Sequence, residues 1–299
     1  MKHLLLSACI LLLLSACSKS SDPATTGPQL IFKFHFDSTQ ARLGNTGQPV
    51  SVAAGNAGQH PLFRKMSSHY LELAPTANTM LGKGAILYRA PETTAGGESA
   101  IDFSKSTAVG EGETFFKVPL SQVAAGSYEW LRLSLAFQEY DVSFHVDTVI
   151  SGFPIKGDYT GTVASFIGFN TYLQDFLVKT KTVSVNGNRK QGYWAFESAL
   201  AGQPNVVSGQ APAGATTVVN PLFATSPVPA GSCVVTAAFA PGKLVITGQE
   251  QKDIVVTVSL SVNKSFEWVD DNKDGKWEPL SGEKVVDMGI RGMIPRIGN

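Results

Sequence analysis

The sequence has few cysteines and no net charge, and each shortage excludes a class of protein. Only three cysteines occur among the 299 residues, at positions 9, 17 and 233. Cys9 lies in an apolar N-terminal run and Cys17 just after its end, so Cys233 stands alone in the rest of the chain and a disulfide framework is excluded. The 24 Lys and Arg residues balance 24 Asp and Glu residues, which excludes a strong electrostatic attraction to nucleic acid or acidic lipid.

Helical periodicity and familiar catalytic motifs are also missing. Beyond the leader, no long segment repeats apolar residues at helical spacing. The sequence has no G-x-S-x-G, no H-E-x-x-H, no phosphate-binding loop and no G-x-G-x-x-G after a strand. We therefore predict that the protein is not an enzyme, while a pair of carboxylates of the glycosidase kind is left open.

An export signal begins the chain. Lys2 precedes an apolar run over residues 4–14, which is too short to span a bilayer and ends in Leu14-Ser15-Ala16-Cys17. These four residues resemble the lipobox of bacterial lipoproteins. The resemblance implies cleavage after residue 16, acylation of Cys17 with palmitate-type chains and anchoring in the bacterial cell envelope, with the outer membrane as the expected membrane. An ordinary secretory signal is the alternative.

The rest of the chain shows the pattern of strands. Residues 17–29 form a polar tether without apolar periodicity, and Leu30, Phe32, Phe34 and Phe36 then alternate with more polar residues. Two further strands are predicted over residues 129–137 and 140–146, and Asn186-Gly187 predicts a hairpin turn. Many short strands, with 29 Gly and 16 Pro, predict an all-β fold, an antiparallel β-sandwich.

Composition suggests three parts after the tether. Residues 30–200 form the predicted main β-sandwich domain, and residues 201–231, rich in Ala, Gly, Pro and Thr, a long loop or boundary. Residues 232–299 are predicted either to complete the sandwich or to form a second small β subdomain. Cys233 lies in one of their strands and is expected to be a buried structural thiol.

An acidic loop over residues 270–278 is the sharpest motif. Asp270, Asn272, Asp274 and Gly275 match the first half of the D-x-[DN]-x-[DN]-G calcium loop, in which oxygens at alternate positions surround a hard cation. The twelfth position holds Ser281 instead of a glutamate. The candidate calcium ligands are Asp270, Asn272, Asp274, Lys276, Glu278 and Glu283, with Asp287 as a further carboxylate. A tight solvated turn is the alternative.

Histidines on strands form a second candidate site. Strand alternation places His145 and Asp147 on one face, about 7 Å apart, and places His35 on a comparable face. With His69, these residues would suit copper or zinc. The alternative is that each is an ordinary surface or core histidine.

Aromatic residues form the third candidate. Tyr128 and Trp130 lie in one strand region, Tyr193 and Trp194 in another, and Trp277 in the acidic loop. Exposed aromatics on a β-sandwich stack on sugar rings, and the alternative is that they fill the core.

Several short motifs together resemble the MbnP-like copper-binding proteins. They are Leu-x-Phe-x-Phe-x-Phe from Leu30, Ala54-Gly55-Asn56, Ser68-His69-Tyr70-Leu71, Ala125-Gly126-Ser127-Tyr128 and Gly192-Tyr193-Trp194-Ala195-Phe196. The resemblance covers residues 30–196 and, weakly, 254–266. It implies an exported β-sandwich that binds a copper ion and points to His35 and Trp194 as part of the metal region.

The sequence thus predicts a lipid-anchored envelope protein that binds a metal ion, with copper implied by the resemblance. The alternative is a calcium-stabilised carbohydrate-binding or adhesion module on the cell surface. The expected partners are the membrane, through the lipid, and a metal ion or glycan ligand, with no nucleic acid.

Overall fold

The computed structural model describes residues 27–200, 202–212 and 227–298. The predicted signal peptide, Cys17 and most of the tether therefore lie outside the described residues, as does part of the predicted loop over 201–231. No helix in the described ranges has the length and apolarity needed to cross a bilayer.

Two sheets face each other across the main core. The first has four strands in the order β21-β18-β1-β8. Their bounds are β1 Gln29–Asp37, β8 Thr114–Pro119, β18 Ile254–Ser261 and β21 Met293–Gly298. The second sheet follows the order β15-β14-β11-β10-β3-β4, with β16 paired to β10 and β7 to β3. Its strands are β3 Leu62–Ala74, β4 Ala85–Arg89, β7 Ala108–Val109, β10 Trp130–Ile150, β11 Phe153–Phe166, β14 Tyr193–Leu200, β15 Gln203–Gln210 and β16 Cys233–Ala238.

Three smaller sheets complete the described part of the fold. A third sheet has the order β13-β12-β6-β5, formed by β5 Glu92–Thr93, β6 Ala100–Asp102, β12 Asn170–Leu177 and β13 Thr182–Lys190. The remaining strands are β2 Asn56–Gln59, β9 Gly126–Tyr128, β17 Leu244–Ile246, β19 Phe266–Val269 and β20 Val285–Met288. Short 3-10 helices occur at Phe103–Lys105, Leu120–Gln122 and Pro279–Ser281.

The predicted all-β sandwich is confirmed. Leu30, Phe32 and Phe34 of β1 are fully buried in the main core, as their alternation predicts. Most neighbouring strands are antiparallel, but β1 pairs with β18 in parallel, as does β6 with β12. Strands β16 and β18 pair with β10 and β1, and β21 pairs with β18, so these three C-terminal strands belong to the two main sheets.

One long strand replaces two predicted ones. Strand β10 runs without interruption through 21 residues, from Trp130 to Ile150. Its pairing with β3 shifts register between Leu135 and Phe137, and Phe137 belongs to a second core that faces the third sheet. A bulge inserts an unpaired residue, so the side chains that point into the main core change from odd to even positions, beginning with Tyr140.

Two local predictions are wrong. Asn186-Gly187 does not form a turn, since both residues lie within β13, and Asn186 adopts a left-handed backbone at φ 49° in a bulge of β13 itself. Part of the loop predicted over 201–231 is strand β15, which pairs with β14 along its whole length. Composition alone predicts a loop here partly because of Pro204, but β15 is an edge strand, where proline is tolerated.

Candidate functional site

The acidic loop follows β19 and forms a closed series of turns. The Asp270 carboxylate accepts the Gly275 backbone N–H at 3.0 Å, and the Asn272 side-chain oxygen accepts the Asp274 N–H at 3.0 Å. Asp274 in turn accepts the Lys276 N–H at 2.8 Å. Left-handed backbone at Lys273 (φ 62°) and at Gly275 (φ 75°) bends the chain tightly between these residues.

Two indole groups fix the ends of this loop. Trp268 Nε1 donates a hydrogen bond of 3.0 Å to the Lys276 carbonyl, which keeps a second lone pair free. Trp277 packs edge-on against Phe266, with ring centroids 4.8 Å apart, and its carbonyl accepts the His145 N–H at 2.7 Å. The loop is therefore held on the rigid sandwich.

Glu283 lies against the loop from the C-terminal side. It is 7% exposed, and its two carboxylate oxygens accept the Asp271 N–H at 3.1 Å and the Glu278 N–H at 2.7 Å. Burial raises the pKa of Glu283, those two N–H groups oppose the shift, and the nearby carboxylates of Asp270 and Glu278 add to it. Negative charge is thus crowded around this loop.

One oxygen of the loop lacks a donor. Asp270 Oδ1 is shielded from solvent and has no hydrogen-bond partner anywhere in the part of the chain that the structure describes. The nearby ammonium of Lys276 contacts Asp158 at 3.4 Å. The remaining candidate, Glu278, accepts a hydrogen bond of 2.7 Å from the Asn272 amide.

The three candidate histidines occupy three separate places. His35 Nδ1 lies 2.6 Å from Glu111, His69 Nε2 lies 2.9 Å from Glu92, and His145 Nδ1 lies 2.5 Å from Asp158. His69 is buried against Phe169, and burial lowers its pKa against the opposing effect of Glu92. Each imidazole has a different carboxylate partner, and the structure does not bring the three together.

Side-chain alternation within one strand does not predict these carboxylate partners. His145 and Asp147 lie on one strand as predicted, but each contacts the residue opposite it on β11: Asp158 for His145 and Lys156 for Asp147. Within the described ranges, no three His, Cys, Asp or Glu side chains are grouped closely enough to hold a metal by themselves.

The candidate aromatics do not form a flat exposed surface. Tyr128 and Tyr193 are buried, whereas Trp130 and Trp194 are partly exposed. Trp194 and Trp277, distant in sequence, instead line one cleft of about 420 Å³ on the inner face of the second sheet. A second cleft, of about 500 Å³, is lined by His60, His145 and Asp158.

Comparison with protein-family models, curated proteins and solved structures found nothing that matches this chain.

Proposed function

We propose that this is a lipid-anchored binding protein of the bacterial cell envelope, in the outer membrane, whose loop at residues 270–283 holds a calcium ion. The lipobox-like Leu14-Ser15-Ala16-Cys17 supports the anchor. One observation carries the calcium site. The side-chain oxygens at alternate loop positions are held in place by backbone N–H groups, while Asp270 Oδ1 is left buried without a donor.

The charge around the loop supports a cation. Burial raises the pKa of Glu283 and the charges of Asp270 and Glu278 add to that shift, while the neighbouring Lys276 pairs with Asp158. A divalent cation would relieve this repulsion. Calcium accepts six to eight oxygens in flexible geometry, so Asn272 and the Lys276 carbonyl can add to the carboxylates.

Calcium is expected to raise the melting temperature of the full mature chain. An ion that binds only the folded state stabilises it by about 2.7 kcal/mol at a concentration a hundredfold above its Kd. For a domain of this size that corresponds to roughly 5–10 °C. Scanning calorimetry after chelation, with and without millimolar calcium, measures the shift, and magnesium should produce less because it requires strict octahedral geometry.

Asp274→Ala should remove the calcium response, because it removes one ligand. The matched control is Asp175→Ala, since Asp175 is an exposed acid on β12 outside the loop. The control should keep the whole shift. A wild type that melts at one temperature with and without calcium would leave only the solvated turn.

Cys17→Ala should release the protein from the membrane. Without the thiol no acyl chain can be attached, and each buried methylene of such a chain contributes about 0.8 kcal/mol to anchoring. Fractionation of cells followed by immunoblotting measures the partition, with Cys233→Ala as the control because that thiol is buried. Recovery of Cys17→Ala in the membrane pellet would contradict the lipid anchor.

Copper and glycan binding stay predictions. The copper ion rests on the resemblance to the MbnP-like proteins. The separate positions of His35, His69 and His145, each beside its own carboxylate, add no support to a shared site. The carbohydrate-binding or adhesion alternative rests on the exposed part of Trp130 and Trp194.

A further inference from the structure

The cleft that joins Trp194 to Trp277 lies between the inner face of β11, β14 and β15 and the chain from Trp277 to Met288. Its volume of about 420 Å³ falls in the range of small-molecule sites. The walls are formed mainly by Trp194, Phe196, Val207, Phe266, Trp277 and Val285. Val207 is 47% exposed, so this apolar surface is open to solvent.

Two glycines allow the aromatic rings of β14 to lie flat on the sheet. A Cβ at Gly209, the residue paired with Trp194, would come within 2.9 Å of the Trp194 ring. A Cβ at Gly161 would come within 2.2 Å of the Phe196 ring. Since any larger residue at either position would push a ring into the cleft, the two glycines keep a flat aromatic floor free.

Few polar groups face this floor. Trp277 Nε1 and Asp287 Oδ1 are shielded from water and have no hydrogen-bond partner among the described residues. A sugar needs many hydrogen bonds, and this lining does not offer them. An apolar ligand that carries one or two polar atoms fits better.

The charged residues at the edge of the cleft indicate which charge the polar group of the ligand carries. Asp287 is neutralised by Arg291, with which it forms an ion pair. Lys284 is exposed at the edge and has no ion-pair partner within the ranges that the structure describes. The cleft therefore offers an unpaired positive charge beside an apolar floor.

From the flat aromatic floor and the cation at the edge, we infer that this cleft binds a small apolar molecule with a planar ring system and a carboxylate. The ring would stack on Trp194 and Phe196, and the carboxylate would pair with Lys284. Asp287, a further candidate calcium carboxylate, only borders the cleft. Trp194, Phe196 and Lys284, which would contact the ligand, are not candidate calcium ligands, so the inference stands apart from the calcium proposal.

The test compares two probes that share a naphthalene ring and differ in charge, 2-naphthoate and 2-naphthylmethylamine. The protein is the full mature chain with Cys17→Ser, so that no detergent competes for the probes, and EDTA removes any contribution of calcium. Isothermal titration calorimetry should show one naphthoate per chain, bound about two- to fivefold more tightly than the amine, the range expected for an exposed ion pair.

Three variants locate the site. Val207→Trp places a large ring in the cleft from an exposed position, and should weaken naphthoate binding at least tenfold. Ser208→Trp adds the same bulk to the opposite face of β15 and should change nothing. Lys284→Gln should remove the preference for naphthoate and leave amine binding as it was.

Three results would overturn the inference. They are the absence of naphthoate binding to the parent protein, equal binding by Val207→Trp and the parent, and equal losses in Val207→Trp and Ser208→Trp. Thermal melts of both tryptophan variants establish that they are folded. An unchanged preference in Lys284→Gln would overturn the assignment of the carboxylate to that residue.

Discussion

Glu72→Ala is expected to cost about 3–5 kcal/mol of unfolding free energy, the range for removing one partner of a buried ion pair. Glu72 is fully buried, and Arg132 is 2% exposed, with Nη1 at 3.8 Å from the Glu72 carboxylate. Burial lowers the pKa of Arg132, and the charge of Glu72 opposes that shift. Without Glu72 the guanidinium would be left buried and uncompensated.

The loss extends to the connection between β3 and β4. The Glu72 carboxylate also accepts the Gly82 N–H at 2.8 Å, the Gly84 N–H at 2.6 Å and the Tyr70 hydroxyl at 2.8 Å. Arg132 donates to the Thr79 carbonyl in the same connection. In Glu72→Ala these N–H and O–H donors would lose their acceptor, so the whole turn would be destabilised.

Urea unfolding of Glu72→Ala, Arg132→Ala and the double variant measures both the loss and the coupling of the two residues. The double variant should lose about 0.5–3 kcal/mol less than the sum of the single losses, because the two groups interact directly. Asp147→Ala is the control, since Asp147 forms an exposed ion pair with Lys156, and it should leave the midpoint within error. Additive losses at positions 72 and 132 would contradict the pairing.

Glu197 makes a second large contribution to the free energy of unfolding, and acid pH should remove it. This side chain is 4% exposed and accepts the Thr180 hydroxyl at 2.5 Å. It also accepts the backbone N–H groups of Lys179, Thr180 and Lys181 at 2.8–2.9 Å. Burial would raise the pKa of Glu197, but the hydrogen bonds outweigh burial and lower it to about 2.

The sign of the pH effect follows from that shift. The unfolded chain has the ordinary pKa of 4.5, so the stabilisation is fully present above that value. It is lost as the pH falls from 4.5 toward 2, because the unfolded state then binds the proton first. A shift of this size corresponds to about 3 kcal/mol.

Glu197→Gln should therefore destabilise the protein by about 2–3 kcal/mol at pH 7 and by much less near pH 2.5. The urea midpoints of the wild type and of Glu197→Gln, measured between pH 7 and 2.5, give the difference in stability, which should narrow as the pH falls. Glu250→Gln is the matched control, because Glu250 makes similar bonds to Thr247 and Gly248 but is less buried than Glu197, so its effect should be smaller. A gap that stays constant with pH would contradict this role of Glu197.

Local pattern was enough for the class of fold and for single strands. The alternation of Leu30, Phe32 and Phe34 correctly predicts which face of β1 is buried. The change from odd apolar positions up to Leu135 to even ones from Tyr140 is the mark of a bulge in one strand, although alone it suggests two strands. The sequence thus contains the signal of the bulge, but the same pattern is typical of two successive strands.

Pairing between distant residues left no such signal. Asp158 meets His145 because β10 and β11 pair, and Trp277 lines the same cleft as Trp194 because the loop after β19 lies against β14. Likewise, the hairpin of β12 and β13 turns at residues 178–181, where Glu197 of a neighbouring sheet supplies the acceptor. Asn186-Gly187 is a stronger local turn signal, but tertiary contacts decided the outcome.

The parallel pairing of β1 with β18 affects the order in which an exported chain can fold. β1 is the first described strand, yet it is flanked by β18, more than two hundred residues later. Until that strand is available to pair, one side of β1 has no partner and the main core stays open. Contacts of such long sequence separation form slowly. For a chain exported as proposed, we therefore expect it to stay unfolded, and able to pass through a narrow translocation channel, until almost all of it has been exported.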